Sequence, residues 1–358
     1  MRVPAPARRP RERIGRGASL SWDDSTTACS AKIALAMNPR LAVIVGPTGS
    51  GKSALALNIA ETFNGEIVNC DSMQLYRGFD IGTAKTALAE RRGIPHHLLD
   101  LLTSSDTYSA GEYSRTARTV LNEIAARGRL PVVVGGTGFY LRALLEGLPP
   151  LPSRDEALRR TLAAREQRRP GLLHRLLKRR DPAAAQRIHP NDTQKLTRAV
   201  EVLLLTQKQM PESASAEPLR GFDVLKLGLN PDRNLLHQKL SARVRAMFAS
   251  GLVDEVRRIL ACGATGGEKP FESLGYKQAL QYVRGEVSME QAIASTEIET
   301  RQYVKRQWTW FRRDAQIDWL DGFGDEPGIR NQSFAVLTKF LQHSFEISRN
   351  QIRSSEYM

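Results

Sequence analysis

Leu41-Ala42-Val43-Ile44-Val45-Gly46-Pro47-Thr48-Gly49-Ser50-Gly51-Lys52-Ser53 is the stretch that decides the fold. Its first five residues form a continuous apolar run, the pattern of a strand buried on both faces of a parallel sheet. The next eight match G-x-x-x-x-G-K-[ST], and Ser53-Ala54-Leu55-Ala56-Leu57-Asn58-Ile59-Ala60 reads as a helix. Strand, loop and helix thus follow in the order a phosphate cradle needs. Glycines let backbone N–H groups converge on an anion, and the helix N-terminus adds about half a positive charge. Lys52 supplies a mobile full charge, and the Ser53 hydroxyl suits Mg²⁺. Gly46, Pro47, Thr48, Gly49, Ser50, Gly51, Lys52 and Ser53 are therefore the candidate site for a di- or triphosphate. The fold class expected is α/β, with a P-loop NTPase-like parallel sheet as its core.

The later strands say less about hydrolysis. Leu130-Pro131-Val132-Val133-Val134 ends in Gly135-Gly136-Thr137-Gly138, with no acid to hold Mg²⁺ or activate water. Glu66-Ile67-Val68-Asn69-Cys70-Asp71 does end in an acid, only 19 residues beyond Lys52. That position is more typical of a substrate-side group in P-loop kinases, and no N-K-x-D guanine-reading motif is present. The phosphates held need not belong to a nucleotide being hydrolysed. A kinase of a nucleoside or small metabolite, and an ATP-gated RNA-binding protein, both stay open on these residues. Asp71 stands at a strand end, where open α/β sheets place ligands; the same residue type suits a Mg²⁺ ligand or a helix N-cap. Thr137 lies in a Gly-flanked turn that permits close approach of a substrate.

Composition bounds the rest. The 358 residues hold 52 Lys+Arg against 38 Asp+Glu, a formal net charge of +14. The length suggests about two domains, and 41% hydrophobic with 25% charged residues excludes wholesale disorder. No apolar run approaches the roughly 20 residues that cross a bilayer. Cys29, Cys70 and Cys262 lie far apart, which argues against a disulfide framework or structural zinc and fits a reducing cytosol. Residues 1–37 are Pro/Arg-rich without helical or strand period, so a disordered extension or a start assigned upstream of Met37 is expected; the prolines break the amphipathic helix of a transit peptide. Residues 38–148 read as the α/β core, 149–189 as a basic helical stretch and 190–325 as a second, mainly helical part. A C-terminal helix over 333–346 and a frayed polar tail fill 326–358.

Charge concentrates in the stretch 149–189. Residues 154–187 hold eleven Lys/Arg against four acids, half the net charge of the chain. A solvated helix face gives such runs too, but the concentration favours contact with phosphate backbone. In Arg301-Gln302-Tyr303-Val304-Lys305-Arg306-Gln307-Trp308-Thr309-Trp310-Phe311-Arg312-Arg313, bases interleave with aromatics and no acid intervenes. On a helix Lys305, Trp308, Thr309 and Arg312 share one face, which suits unstacked bases and phosphates of an RNA loop; a core-packed aromatic stripe with basic edges is the plainer reading. Arg243 falls off the apolar stripe Leu236, Leu240, Val244 and Met247. His96 and His97 have no partner at metal spacing and are expected to be structural.

Several motifs occur in a fixed order: the cradle, Asp71-Ser72-Met73-Gln74-Leu75-Tyr76, Asp80-Ile81-Gly82-Thr83-Ala84-Lys85, Pro95-His96-His97-Leu98-Leu99-Asp100, Val134-Gly135-Gly136-Thr137-Gly138, Leu148-Pro149-Pro150-Leu151-Pro152 and Arg187-Ile188-His189-Pro190-Asn191-Asp192. From about Leu41 to Asp321 the chain resembles the bacterial tRNA dimethylallyltransferases of the tRNA isopentenyltransferase family. The resemblance implies a P-loop-type core with an α-helical insertion domain, joined by a channel that tRNA and prenyl donor enter from opposite ends. It implies transfer of a dimethylallyl group from dimethylallyl diphosphate to N6 of adenosine 37 in the tRNA anticodon stem-loop, forming N6-(dimethylallyl)adenosine and releasing diphosphate. Mg²⁺ is the implied cofactor, and a cytoplasmic monomer without membrane attachment the implied state.

By the same resemblance Asp71 and Thr137 are catalytic, Asp71 accepting a proton from the N6 amine or hydrogen-bonding it, and Arg243 joins the diphosphate site. Contact with tRNA falls to Asp71, Ser72, Met73, Gln74, Thr137 and Arg159, then to Gln194, Lys195, Leu196, Thr197 and Arg198. It continues through Glu272, Ser273, Leu274, Gly275, Tyr276 and Lys277, then Lys305, Arg306, Gln307, Trp308, Thr309, Trp310, Phe311 and Arg312. Leu196 also lies on the stripe Leu196, Val200, Leu203, Leu204, which points to the core, and the family often has Arg-Cys where this chain has Glu272-Ser273. No Cys follows Cys262, so the C-terminal zinc finger of eukaryotic relatives is missing from this sequence.

Overall fold

Strands β1 (Arg40–Val45), β2 (Gly65–Asn69), β3 (His96–His97), β4 (Leu130–Val134), β5 (Asp223–Leu229) and β6 (Ile317–Leu320) form one sheet in the order β3-β2-β4-β1-β5-β6. The protein is described by a computed structural model over residues 38–211 and 216–355; the expectation for 1–37 falls outside the described residues. Every pairing is parallel, with Val43 opposite Val133 on one side and Lys226 on the other. β1 is buried along its length because both its faces are covered. Leu41, Val43 and Val45 join one core with Val68, Tyr113 and Val133, whereas Ala42 and Ile44 join another with Leu55, Ile59 and Val132. The chain leaves β1 toward β2–β4 and returns past it to β5 and β6. The crevice at the carboxyl ends of β1 and β4 is thus a topological switch point, where such sheets bind ligands.

The stretch 190–325 carries β5 and β6 as well as its helices, which the pattern reading did not separate. β6 has four residues, and β5 is interrupted by Lys226, whose charge is met by Asp314 at 2.6 Å.

Helices α1 (Lys52–Thr62), α2 (Ala110–Ala126) and α3 (Gly138–Leu145) complete the first part of the core. The basic insertion is α4 (Glu156–Arg168), α5 (Leu172–Arg180) and α6 (Pro182–Arg187), leading into α7 (Thr193–Thr206). Asp155, Asp181 and Asp192 cap α4, α6 and α7, each accepting a backbone N–H in the first turn. The arm has a small core of its own: Leu162, Leu173, Leu177, Ala184 and Ala185 pack on Leu196, Ala199 and Val200 of α7.

Helices α8 (Arg233–Ala249), α9 (Leu252–Ala261), α10 (Tyr276–Val283), α11 (Met289–Phe311) and α12 (Pro327–Ser355) follow. On α8 Leu236, Leu240 and Val244 are buried as expected, and Phe248 takes the place given to Met247. α12 starts six residues before the expected 333 and continues through the tail read as frayed. Pro327 presets the first turn, Ile329 already belongs to the buried stripe with Leu337, and no Gly or Pro between 329 and 355 stops the helix.

Candidate active site

The cradle folds as its sequence directs. Gly51 adopts φ 85°, and a Cβ there would lie 2.7 Å from the Gly324 nitrogen, so the turn demands glycine. The Gly324 N–H donates to Ser50 O at 2.9 Å, which ties the loop after β6 to the cradle. Ser53 is exposed at the start of α1. Lys52 is half-buried, and its Nζ donates to Pro47 O at 2.6 Å.

Two residues past β2, Asp71 is held by its neighbours. Asn69 Oδ1 accepts the Asp71 N–H at 3.0 Å, and Asn69 Nδ2 donates to Asp71 O at 3.0 Å and Leu98 O at 2.9 Å. The Asp71 carboxylate accepts the Met73 N–H at 2.9 Å in a turn, and no helix follows, so the helix-cap alternative falls away. Thr137 N–H donates to Cys70 O at 3.2 Å, and Thr137 Oγ1 accepts the Ser72 N–H at 3.1 Å. The loops after β2 and β4 are thereby laced together, with Asp71 and Thr137 side by side on the sheet's carboxyl edge.

Electrostatics joins Asp71 to the cradle. Burial pushes the Lys52 ammonium down to about 7; Asp71 opposes the shift and Arg243 adds to it. Arg243 is itself lowered by burial, with Asp71 again opposing. Two partly desolvated cations thus feel the charge of Asp71 without an ion pair to it among the described residues, an arrangement that an anionic ligand would stabilise. The Cys70 thiol is pushed up to about 12, mainly by burial, which removes it as a nucleophile at neutral pH.

The residues expected at RNA divide. Lys305, Arg306, Thr309 and Arg312 are exposed on α11, and Trp310 keeps 38% of its surface free. Gln302, Lys305, Arg306, Thr309, Trp310 and Arg313 line a hollow of about 550 Å³. Gln194, Lys195, Glu272 and Lys277 are exposed, and Met73, Gln74, Ser273 and Leu274 half-buried. Arg159 and Arg198 turn toward the fully buried Glu201, at 3.7 and 2.6 Å.

Other side chains of that set lie inside the protein and present no surface to RNA. Leu196 packs in the arm core, and Thr197 is buried beside it on α7. Trp308 packs with Leu236, Leu240, Val304 and Phe323, so it leaves the exposed face on which helical spacing had put it with Lys305. Phe311 is buried in the main core. Tyr276 is fully buried: its hydroxyl donates to Glu255 and accepts the Gly82 N–H at 3.1 Å. Gln307 is buried against the cradle. In each case a neighbour distant in sequence covers the side chain. His96 and His97 are structural as expected, bonded to Ile94 O and to Glu66.

Tyr303 was not singled out by the sequence. It is half-buried beside the site, and its phenol is raised mainly by burial and then by the charge of Asp71. Its position one helical turn before Gln307 is the one signal that places it there.

The family model described as IPP transferase matches residues 74–314. The chain is 57% identical to a tRNA dimethylallyltransferase of Solibacter usitatus over 84% of its length and 99% of the relative's. It is 50% identical to one from Koribacter versatilis, over 84% and 98%. Among solved structures, a tRNA isopentenylpyrophosphate transferase of Bacillus halodurans is 34% identical with a TM-score of 0.64, covering 88% of this chain and 99% of that one. A eukaryotic dimethylallyltransferase, described as acting on tRNA, reaches a TM-score of 0.73 at 28% identity, over 85% and 80%. With a cradle, a strand-end carboxylate and a basic helix face gathered on one edge of the sheet, the chain belongs to the IPP transferase family, whose bacterial members here are tRNA dimethylallyltransferases.

Proposed function

We propose that this protein transfers a dimethylallyl group from dimethylallyl diphosphate to N6 of adenosine 37 in the tRNA anticodon stem-loop, releasing diphosphate. The observation that carries the reading is the meeting, at the switch point, of the cradle with Lys52 held on Pro47 O and the laced loops that carry Asp71 and Thr137, with Lys52 and Arg243 both within reach of the Asp71 charge. The allylic C–O bond breaks as the N6 lone pair forms the C–N bond. Negative charge then grows on the leaving diphosphate, where Lys52, Arg243 and the cradle amides stabilise it. The proton released from N6 passes to Asp71, whose backbone is fixed by Asn69. The exocyclic amine is a poor nucleophile because its lone pair is delocalised into the purine, so draining its proton as the bond forms matters.

Mg²⁺ fits the donor set. Among the described residues no cluster of three His, Cys, Asp or Glu could hold a metal by itself, but the Ser53 hydroxyl, the substrate's own phosphate oxygens and several waters would together hold this ion. Bound there, it would neutralise charge on the leaving group. The tRNA lies along the exposed bases of α11 and the basic arm. The same reading makes the enzyme a cytoplasmic monomer. Among the described residues no helix is long and apolar enough to cross a membrane.

The test uses unmodified tRNA with radiolabelled dimethylallyl diphosphate or γ-labelled ATP. Prenyl label should enter tRNA, and Asp71→Asn should lower kcat by about 10²-fold or more with near-normal affinity for both substrates. Transfer of phosphate label would replace this reading with a kinase. Rescue of the variant by raised Mg²⁺ would move Asp71 to the metal.

A further inference from the structure

Gln307 is 5% exposed, on the inner face of a helix whose outer face carries Lys305, Arg306, Thr309 and Arg312. Both ends of its amide are used. Oε1 accepts the N–H of Thr48 in the cradle at 2.8 Å, and Nε2 donates to Gly136 O at 2.9 Å, in the loop that carries Thr137. The partners lie 259 and 171 residues away in sequence, on the ends of β1 and β4. No other side chain among the described residues hydrogen-bonds to both loops. Space around the bond is tight, because a Cβ on Gly136 would fall 2.3 Å from Nε2.

The cradle and the Thr137 loop have separate tasks if the proposed function holds, and the inference rests on that reading. One grips the diphosphate; the other, laced to Asp71 through Ser72, receives the nucleobase. The attacking nitrogen and the allylic carbon must meet within a few tenths of an ångström, and misplacement by about 1 Å costs on the order of 10²-fold in rate. An amide is suited to this, since it donates and accepts in one rigid plane and carries no charge to disturb Lys52 or Arg243. We propose that Gln307 is a positioning residue that clamps the donor loop to the acceptor loop and so sets the distance between the two substrates.

The experiment compares wild type, Gln307→Met and Gln307→Glu in steady-state transfer from dimethylallyl diphosphate to tRNA, with tRNA affinity measured separately. Met keeps the length and removes both bonds. Glu keeps the acceptor toward Thr48 and, when ionised, loses the donor toward Gly136. For Met we expect kcat lowered about 10- to 100-fold, KM for the diphosphate raised, and tRNA affinity within about twofold. For Glu the ionised carboxylate should lower kcat and, beside the cradle, raise the KM for the diphosphate, and both should recover toward wild type as lower pH protonates it and restores the donor to Gly136 O, a pH profile that a merely structural role would not produce. Gly136→Ala, which displaces the amide from the other side, should reproduce the kcat loss. Should the Met variant not fold, the Glu and Gly136 variants decide. Unchanged kcat in folded variants, or lost tRNA affinity with kcat intact, would overturn the clamp. A wild type that transfers no prenyl group would instead overturn the proposed function.

Discussion

Lys52 has its titration moved into the neutral range by burial, to about 7 from an ordinary 10.5. A folded-state value below the unfolded one means the charged lysine is disfavoured in the free protein. That penalty is full below pH 7 and fades as pH rises to 10.5, so this group's contribution to stability improves with pH across that window. Diphosphate supplies the missing counter-charge and raises the value again, so binding above pH 7 takes up a proton. Affinity for the diphosphate should therefore weaken between pH 7 and 9, with proton uptake visible by calorimetry in buffers of different ionisation heat. Lys52→Met should bind weakly and with little pH dependence over that range; an unchanged slope would place the titrating group elsewhere. Arg243, lowered by the same burial, stays charged throughout.

At the scale of elements, the basic arm is an amphipathic device. Leu173 and Leu177 of α5 point into the arm core, while Arg175, Lys178, Arg179 and Arg180 are exposed and have no acidic partner among the described residues. Three of these end the helix, where its dipole favours positive charge. A solvated face would use the same pattern, so the choice rests on salt dependence. Replacing all four by Ala should weaken tRNA binding and reduce the slope of log K against log salt by roughly 0.7–0.9 per lost phosphate contact. An unchanged slope and affinity would make the cluster a solvated face. Helix α11 has the same two-sided design with the roles sharpened: its outer bases are exposed, and its inner Gln307 and Trp308 are buried.

For the whole molecule, one buried carboxylate ties the helical layer to the loop after β2. Glu255 on α9 accepts the N–H groups of Asp80 and Ile81, at 3.2 and 3.1 Å, and the hydroxyl of Tyr276 on α10. Tyr276→Phe should cost about 1–3 kcal/mol in urea unfolding, because it removes a donor from a buried acceptor, and should leave tRNA affinity unchanged. A large affinity loss without destabilisation would return Tyr276 to the RNA surface, where its motif alone suggested it. The contrast explains what was legible in advance. Local information fixed the cradle, the strand before it and the acid at the end of β2, because a glycine turn, a β-branched run and a helix start are properties of neighbouring residues. It also fixed the basic character of the arm and of α11, since charge is counted along the chain. Spacing on a helix could not say which neighbour covers each face. Gln307 and Trp308 sit among residues that favour RNA, yet Gln307 is drawn inward by Thr48 and Gly136, and Trp308 by α8. β6 escaped because four residues carry too little pattern, whereas the early start of α12 was written locally in Pro327 and was overlooked. The sequence alone determined which chemical groups the protein carries; the meeting of segments hundreds of residues apart decided which of them reach a substrate, because burial is a property of the assembled chain.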